Sequence, residues 1–190
     1  SAPDRLMLRQ QCRPGDVLFA VGPLGLARVG LTLLEEGKDI EGFARGVQAH
    51  LHPRVFVREG RELARQSWVR GLMDVSDGLA IDLGRFLGDK LGLELSLTEA
   101  DLEPEVRRFA VVRGEDPLHF ALQGGEDYAL LGAMTPGSED RLLQVCPGAA
   151  ILGTVAERPG IIINGEPFLS QGFDHFGAAA SSADNAQSQS

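Results

Sequence analysis

Residues 73–83 read MDVSDGLAIDL. Asp74, Ser76, Asp77 and Gly78 interrupt an otherwise apolar stretch, and such residues are poor material for a core. Beyond Gly78, Leu79, Leu83, Phe86, Leu87 and Leu91 recur at helical spacing. A helix therefore starts near residue 78, with Ser76 as its expected N-cap and Asp77 in its first turn. That role leaves Asp74 unexplained, because a cap needs one oxygen and three oxygen-bearing side chains fall close together. Two readings stay open at this point. One is a stabilised helix start and nothing more. The other is a set of carboxylates and a hydroxyl suited to a hard cation such as Mg²⁺, beside helix N–H groups that receive phosphate. Asp82 lies further along the helix and is equally consistent with a surface position.

Working outward, GRELARQSWVRGLM (60–73) is expected to form a helix with Leu63, Ala64, Trp68 and Leu72 inward. Upstream, VLFAVG (17–22) has the continuous apolar character of a buried strand, and 25–36 places Leu26, Val29, Leu33 and Leu34 on one helical face. Residues 38–60 give no clear element beyond an extended or turn entry at Pro53. Downstream, LELSL (93–97) alternates like a half-buried strand. Helices are expected over 104–113, opened by Pro104, over 116–123, and over 138–146 with Ser138 as N-cap. Strands are expected after the double glycine of 124–134, at 151–155, and over 161–168 folded at Asn164-Gly165. Alternating helices and strands with hairpins predict one α+β domain, a mixed sheet covered by helices.

Composition narrows the function. Of 190 residues, 43% are hydrophobic and 24% charged, ordinary for a globular chain. The net charge of −9 argues against a sequence-independent grip on nucleic acid. Cys12 and Cys146 have no metal-ligand spacing and read as reduced thiols. No apolar run approaches the ~20 residues of a membrane span, and no signal peptide is visible, so a cytoplasmic protein is expected. Neither a P-loop nor a dinucleotide fingerprint occurs.

Three further stretches could carry chemistry. In LQGGEDYALL (122–131) the glycines permit close backbone approach. Glu126 and Asp127 are then either solvated acids of a tight turn or acceptors for a ligand amine. In GFDHF (172–176) the phenylalanines and His175 either pin the terminus or stack on a flat ring. His50 and His52 in HLHPR have metal-ligand types but no third partner at useful spacing.

Taken in order, RPGDVLFAVGPLG, HPRVFVREGRELA, MDVSDGLAIDL, LQGGEDYALL and GFDHF resemble the C-terminal half of the thiamine-monophosphate kinase family. That family lies within the aminoimidazole ribonucleotide synthetase superfamily, and the similarity runs from about residue 5 to 176. The resemblance implies a three-layer α/β/α domain with a mixed sheet. It implies ATP-dependent phosphorylation of thiamine monophosphate to thiamine diphosphate with Mg²⁺, in a homodimeric full-length enzyme. By the same resemblance Asp74 and Asp77 ligate Mg²⁺, Ser76 contacts ATP, and Glu126 and Phe173 contact the thiamine moiety. No general base is required, because the attacking phosphate oxygen is already ionised.

The sequence departs from the family in two ways. The acidic motifs of the N-terminal ATP-binding domain have no counterpart here, and PLGLARVGL carries Leu26 and Arg28 where smaller or acidic residues are expected. The expected organisation is an entry segment (1–15), a synthetase-like domain (16–178) and a disordered tail (179–190), inactive without the missing half. The alternatives are another ATP-dependent enzyme of the superfamily, or a non-catalytic module that binds phosphorylated ligands or a partner domain.

Overall fold

The computed structural model describes residues 6–38, 41–163 and 165–168. In chain order the elements are β1 (Val17–Val21), α1 (Leu26–Glu36), α2 (Ala44–Leu51), α3 (Val57–Ala64), β2 (Val69–Asp74), α4 (Leu79–Leu87) and β3 (Gly92–Leu95). After a short 3₁₀ turn at Glu99–Asp101 come α5 (Pro104–Val112), α6 (Pro117–Leu122), β4 (Leu130–Met134), α7 (Glu139–Val145), β5 (Ala149–Ala156), β6 (Gly160–Ile163) and β7 (Glu166–Pro167).

The strand order is β2-β4-β1-β5-β3-β6-β7. β1 runs antiparallel to both neighbours, β4 and β5. The parallel pairing of β3 with β6 makes the sheet mixed. Every residue of β1 is buried, because both faces of the sheet are covered. Leu18 and Ala20 join one apolar cluster with α1, α4, α5 and α6. Val17, Phe19 and Val21 join another with Leu63 of α3 and Leu142 of α7. Two-period alternation thus splits one strand between two cores, giving the expected three layers, helix–sheet–helix.

Several local expectations hold. Pro104 opens α5. Asp116 caps α6 by accepting the His119 N–H at 2.8 Å. β6 and β7 pair antiparallel, Ile163 opposite Glu166, and Asn164 lies outside the described residues. Among the described residues no helix is long and apolar enough to cross a membrane.

The helix expected over 60–73 is corrected. α3 ends at Ala64, and residues 69–74 form β2, hydrogen-bonded to β4. Three of the four expected inward residues are right, since Leu63 and Trp68 are buried in one cluster with Leu72 packed against it, while Ala64 joins neither core cluster. Two different elements deliver them to the same face, and their spacing imitates one helix. α2 fills part of the stretch with no clear element. It lies along α1, where Gly46 and Gly30 meet: a Cβ on Gly30 would overlap the Gly46 carbonyl. Ser138 precedes α7 but makes no side-chain cap; its Oγ lies 2.9 Å from Thr135 Oγ1 instead.

Candidate functional site

The end of β2 and the approach to β4 bring the two acidic motifs together. Val75 N donates to Ala129 O at 2.8 Å, Tyr128 N to Val75 O at 2.9 Å, and Glu126 N to Ser76 O at 2.8 Å. This zipper continues the β2–β4 ladder past its last pair, Asp74 with Leu130. Glycine makes the approach possible. A Cβ on Gly125 would lie 3.2 Å from Ser76 O, and one on Gly78 would lie 3.3 Å from Gly124 O. The register also forces Glu126 and Tyr128 to left-handed φ values of 65° and 50°, which non-glycine residues seldom adopt. Such strain persists only where surrounding contacts fix it, and it gathers at functional sites.

The capping expectation for Ser76 is corrected. Gly78, at φ 111°, occupies the cap position of α4, and no side chain caps the helix there. Asp82, inside the helix, instead reaches back to the loop before it. It is buried, and its Oδ2 accepts the N–H groups of Ser76 at 2.9 Å and Asp77 at 3.0 Å. Its Oδ1 accepts Arg85 Nη1 at 2.9 Å. Asp82 is therefore not a surface residue. It fixes the backbone of the acidic loop and leaves the side chains of Ser76 and Asp77 unspent on capping. Ser76 Oγ lies 3.3 Å from Asp77 Oδ1.

Asp74 and Asp77 are exposed. Asp77 Oδ2 lies 2.5 Å from Arg85 Nη1, and that guanidinium, through its hydrogen bond and charge, holds the Asp77 carboxyl below the usual range. A cation is thus already drawn to this carboxylate. Among the described residues no group of three His, Cys, Asp or Glu is arranged to hold a metal.

Glu126 and Asp127 diverge. Asp127 is buried, and its carboxylate accepts Gly25 N at 2.5 Å and Ala27 N at 2.9 Å. It closes the N-terminus of α1, so it is not a solvated turn acid. Burial pushes its carboxyl up to about 7, against backbone N–H groups of Ala27, Gly25 and Leu26 that pull it down. The Glu126 side chain is half exposed, with Oε2 3.2 Å from His50 Nδ1. His52 instead lines a cavity of about 440 Å³ with Pro23, Leu26, Arg45, Gln48 and Asp127. A larger cleft of about 860 Å³ opens at the end of β1, where Arg45, Arg54 and Arg58 gather. Two of these cations are spoken for, Arg45 by Glu103 and Arg54 by Glu59.

A family model described as AIR synthase related protein, C-terminal domain, matches residues 13–166. The chain belongs to this family. Both acidic loops of this AIR synthase-related domain fall inside the matched span. It is 30% identical over 177 residues to the thiamine-monophosphate kinase of Aquifex aeolicus (strain VF5), covering 91% of this chain and 56% of that protein. It is 31% identical over 176 residues to the thiamine-monophosphate kinase of Mycobacterium tuberculosis (strain ATCC 25618 / H37Rv), covering 90% and 50%. A solved structure of AaThiL complexed with AMPPCP and TMP matches at a TM-score of 0.72 and 30% identity, covering 90% of this chain and 55% of that one. The chain spans about half the length of the curated relatives it matches.

Arg28, one of the two residues expected to differ from the family pattern, has a structural task in this domain. It donates to Phe120 O at 2.9 Å and lies 4.2 Å from the Phe120 ring centre, tying α1 to α6. Leu26 is buried in the core. Phe173 and His175 lie outside the described residues, as does the segment 179–190. The described residues therefore set Ser76 and Asp77 beside Glu126 through the backbone, with Asp74 ending β2 opposite Leu130. Sequence reasoning missed Asp82 and Asp127 as organisers and His50 as a neighbour of Glu126.

Proposed function

We propose that this chain is the substrate-side C-terminal domain of a thiamine-monophosphate kinase, which phosphorylates thiamine monophosphate to thiamine diphosphate at the expense of ATP. The observation that carries the reading is the backbone zipper between residues 75–76 and 126–129. It sets a cation-attracting carboxylate loop directly beside a strained, half-exposed glutamate. One loop suits metal-bound phosphate, and the other suits the amine of an aminopyrimidine.

In this reading Asp74 and Asp77 contribute ligands to Mg²⁺, Ser76 contacts ATP, and Glu126 accepts a hydrogen bond from the thiamine ring, with Phe173 packing on it. The Arg85–Asp77 pair supports the fit of a cation at the loop. Mg²⁺, when bound, would neutralise the phosphoryl oxygens that carboxylates repel. The chain's own task is positional: Asp82 holds the loop's N–H groups, and the zipper fixes the distance between the two loops. The remaining ligands would come from an ATP-binding half, in a homodimeric cytoplasmic enzyme, and residues 16–178 alone would be inactive.

Two measurements test this. Calorimetric binding should favour thiamine monophosphate over purine biosynthetic intermediates, and the opposite preference would move the chain to another branch of the superfamily. Incubation of the pure 190-residue chain with ATP, Mg²⁺ and thiamine monophosphate should yield no thiamine diphosphate. Turnover would overturn the dependence on a second half.

A further inference from the structure

Within the HLHPR stretch His50 meets Glu126, while His52 and Arg54 line the cavity beside Asp127. Its side chain is mostly buried, and Nδ1 lies 3.2 Å from Glu126 Oε2. The contact is close enough for an ion pair but is not aligned as a hydrogen bond, so Nδ1 is buried with no hydrogen-bond partner in the structure. A buried polar atom in that state is unfavourable. The Glu126 side chain is half exposed, and a small rotation about its own bonds would align the pair.

The placement of His50 follows from a closed circuit of contacts. Asp127 binds the first N–H groups of α1 through Gly25 and Ala27. α1 packs on α2 at Gly30 and Gly46, where no side chain fits: a Cβ on Gly46 would lie 2.8 Å from Val29 Cγ1. One helical turn beyond Gly46, His50 shares its face and returns to Glu126. Adjacent residues of one loop thus hold the first turn of α1 and the last turn of α2, at one end of the same helix pair. Glu126 needs such an anchor, because its backbone is strained at φ 65° while its side chain extends toward solvent.

We propose that His50 is a positioning residue for Glu126. Its ring carries a proton on Nδ1, and that N–H donates to Oε2. That bond fixes the carboxylate plane and leaves Oε1 to accept from a ligand amine. The proposal rests on the reading of Glu126 as the substrate-contacting carboxylate, and its test separates the two.

The test uses the full 190-residue chain with thiamine monophosphate as the probe. Long-range ¹H–¹⁵N spectra of the free chain should show His50 protonated at Nδ1, with that resonance shifted in Glu126→Gln. Calorimetry should then show weaker binding of thiamine monophosphate for His50→Leu, by about tenfold, the size expected for loss of one charge-assisted hydrogen bond. His50→Asn, whose amide places a donor near the Nδ1 position, should recover most of it. Circular dichroism and melting of each variant report whether the fold survives. If Glu126→Gln leaves the His50 resonance unmoved, or if His50→Asn binds as poorly as a folded His50→Leu, the positioning role is overturned. If the resonance shifts but Glu126→Gln leaves affinity unchanged, or the chain takes up no thiamine monophosphate, the pair stands and the substrate reading of Glu126 fails.

Discussion

Asp82 and Asp77 are joined through the backbone: the buried Asp82 carboxylate accepts the Asp77 N–H at 3.0 Å while also accepting that of Ser76. The carboxylate thus shapes a loop that precedes its own helix. Asp82→Ala removes an ionised acceptor and leaves two N–H groups and Arg85 without it. The expected cost is about 1–3 kcal/mol, measured as a lower urea midpoint at unchanged slope. Asp82→Asn keeps one acceptor and should lose less. A midpoint shift for Asp82→Ala within the error of wild type would show that the loop holds itself.

Arg85 reads differently from an ordinary surface cation, because it bridges the buried Asp82 and the exposed Asp77. Its hydrogen bond and charge depress the Asp77 carboxyl. The linkage sign is that of a lowered acid: the contribution is present above the unfolded value and fades as pH falls through the folded one. Arg85→Ala should return Asp77 toward the normal carboxylate range in a ¹³C titration. If the loop receives Mg²⁺, the same variant should bind Mn²⁺, a paramagnetic substitute, several-fold more tightly in relaxation titrations, because the competing guanidinium is gone. Weaker Mn²⁺ binding would mean that Arg85 organises the site and does not compete for it.

Asp127 gives the opposite pH dependence. Burial lifts its carboxyl to about 7, above its unfolded value near 4. Between these values the folded chain keeps a proton that the unfolded chain has lost. This group's contribution therefore declines as pH rises from about 4 to 7 and is flat above, with a total swing on the order of a few kcal/mol. Urea unfolding of wild type and Asp127→Asn at intervals from pH 5 to 8 isolates the term. The stability difference between them should shift toward the variant as pH rises; a difference independent of pH would show that the N–H groups of α1 keep Asp127 ionised throughout.

These two aspartates also show where sequence legibility ended. The strand of 17–22, the helix after Gly78 and the antiparallel pairing of 161–163 with 166–167 were legible, because period and turn chemistry are local signals. Asp82 and Asp127 carry no local mark. Asp82 is buried because it serves a loop on the far side of Gly78, and Asp127 because it serves a helix about 100 residues earlier. Their neighbours Asp77 and Glu126 have the same residue chemistry yet face outward, so composition could nominate the two loops but could not divide the acids into supports and contacts. The helix expected over 60–73 failed for a related reason. A helix and a strand feeding one core face mimic a single helical period, and only the pairing of β2 with β4 separates them.

Gly30 and Gly46 set helix propensity against packing. Each lies inside a helix, where replacing Gly by Ala ordinarily stabilises by up to about 1 kcal/mol. Here the added methyl meets the neighbouring helix. At Gly30 it would overlap the Gly46 carbonyl, which is backbone and cannot step aside; at Gly46 it would meet the Val29 side chain at 2.8 Å, which can shift in part. Overpacking of this kind costs about 1–3 kcal/mol, so packing should win at both sites, with Gly30→Ala the more damaging. Because α2 carries His50 toward Glu126, Gly30→Ala should also shift the His50 ring resonances, although it touches neither residue. A Gly30→Ala chain that melts higher than wild type would show that α1 and α2 are free to separate, and with them the route by which Asp127 and Glu126 are tied to one helix pair.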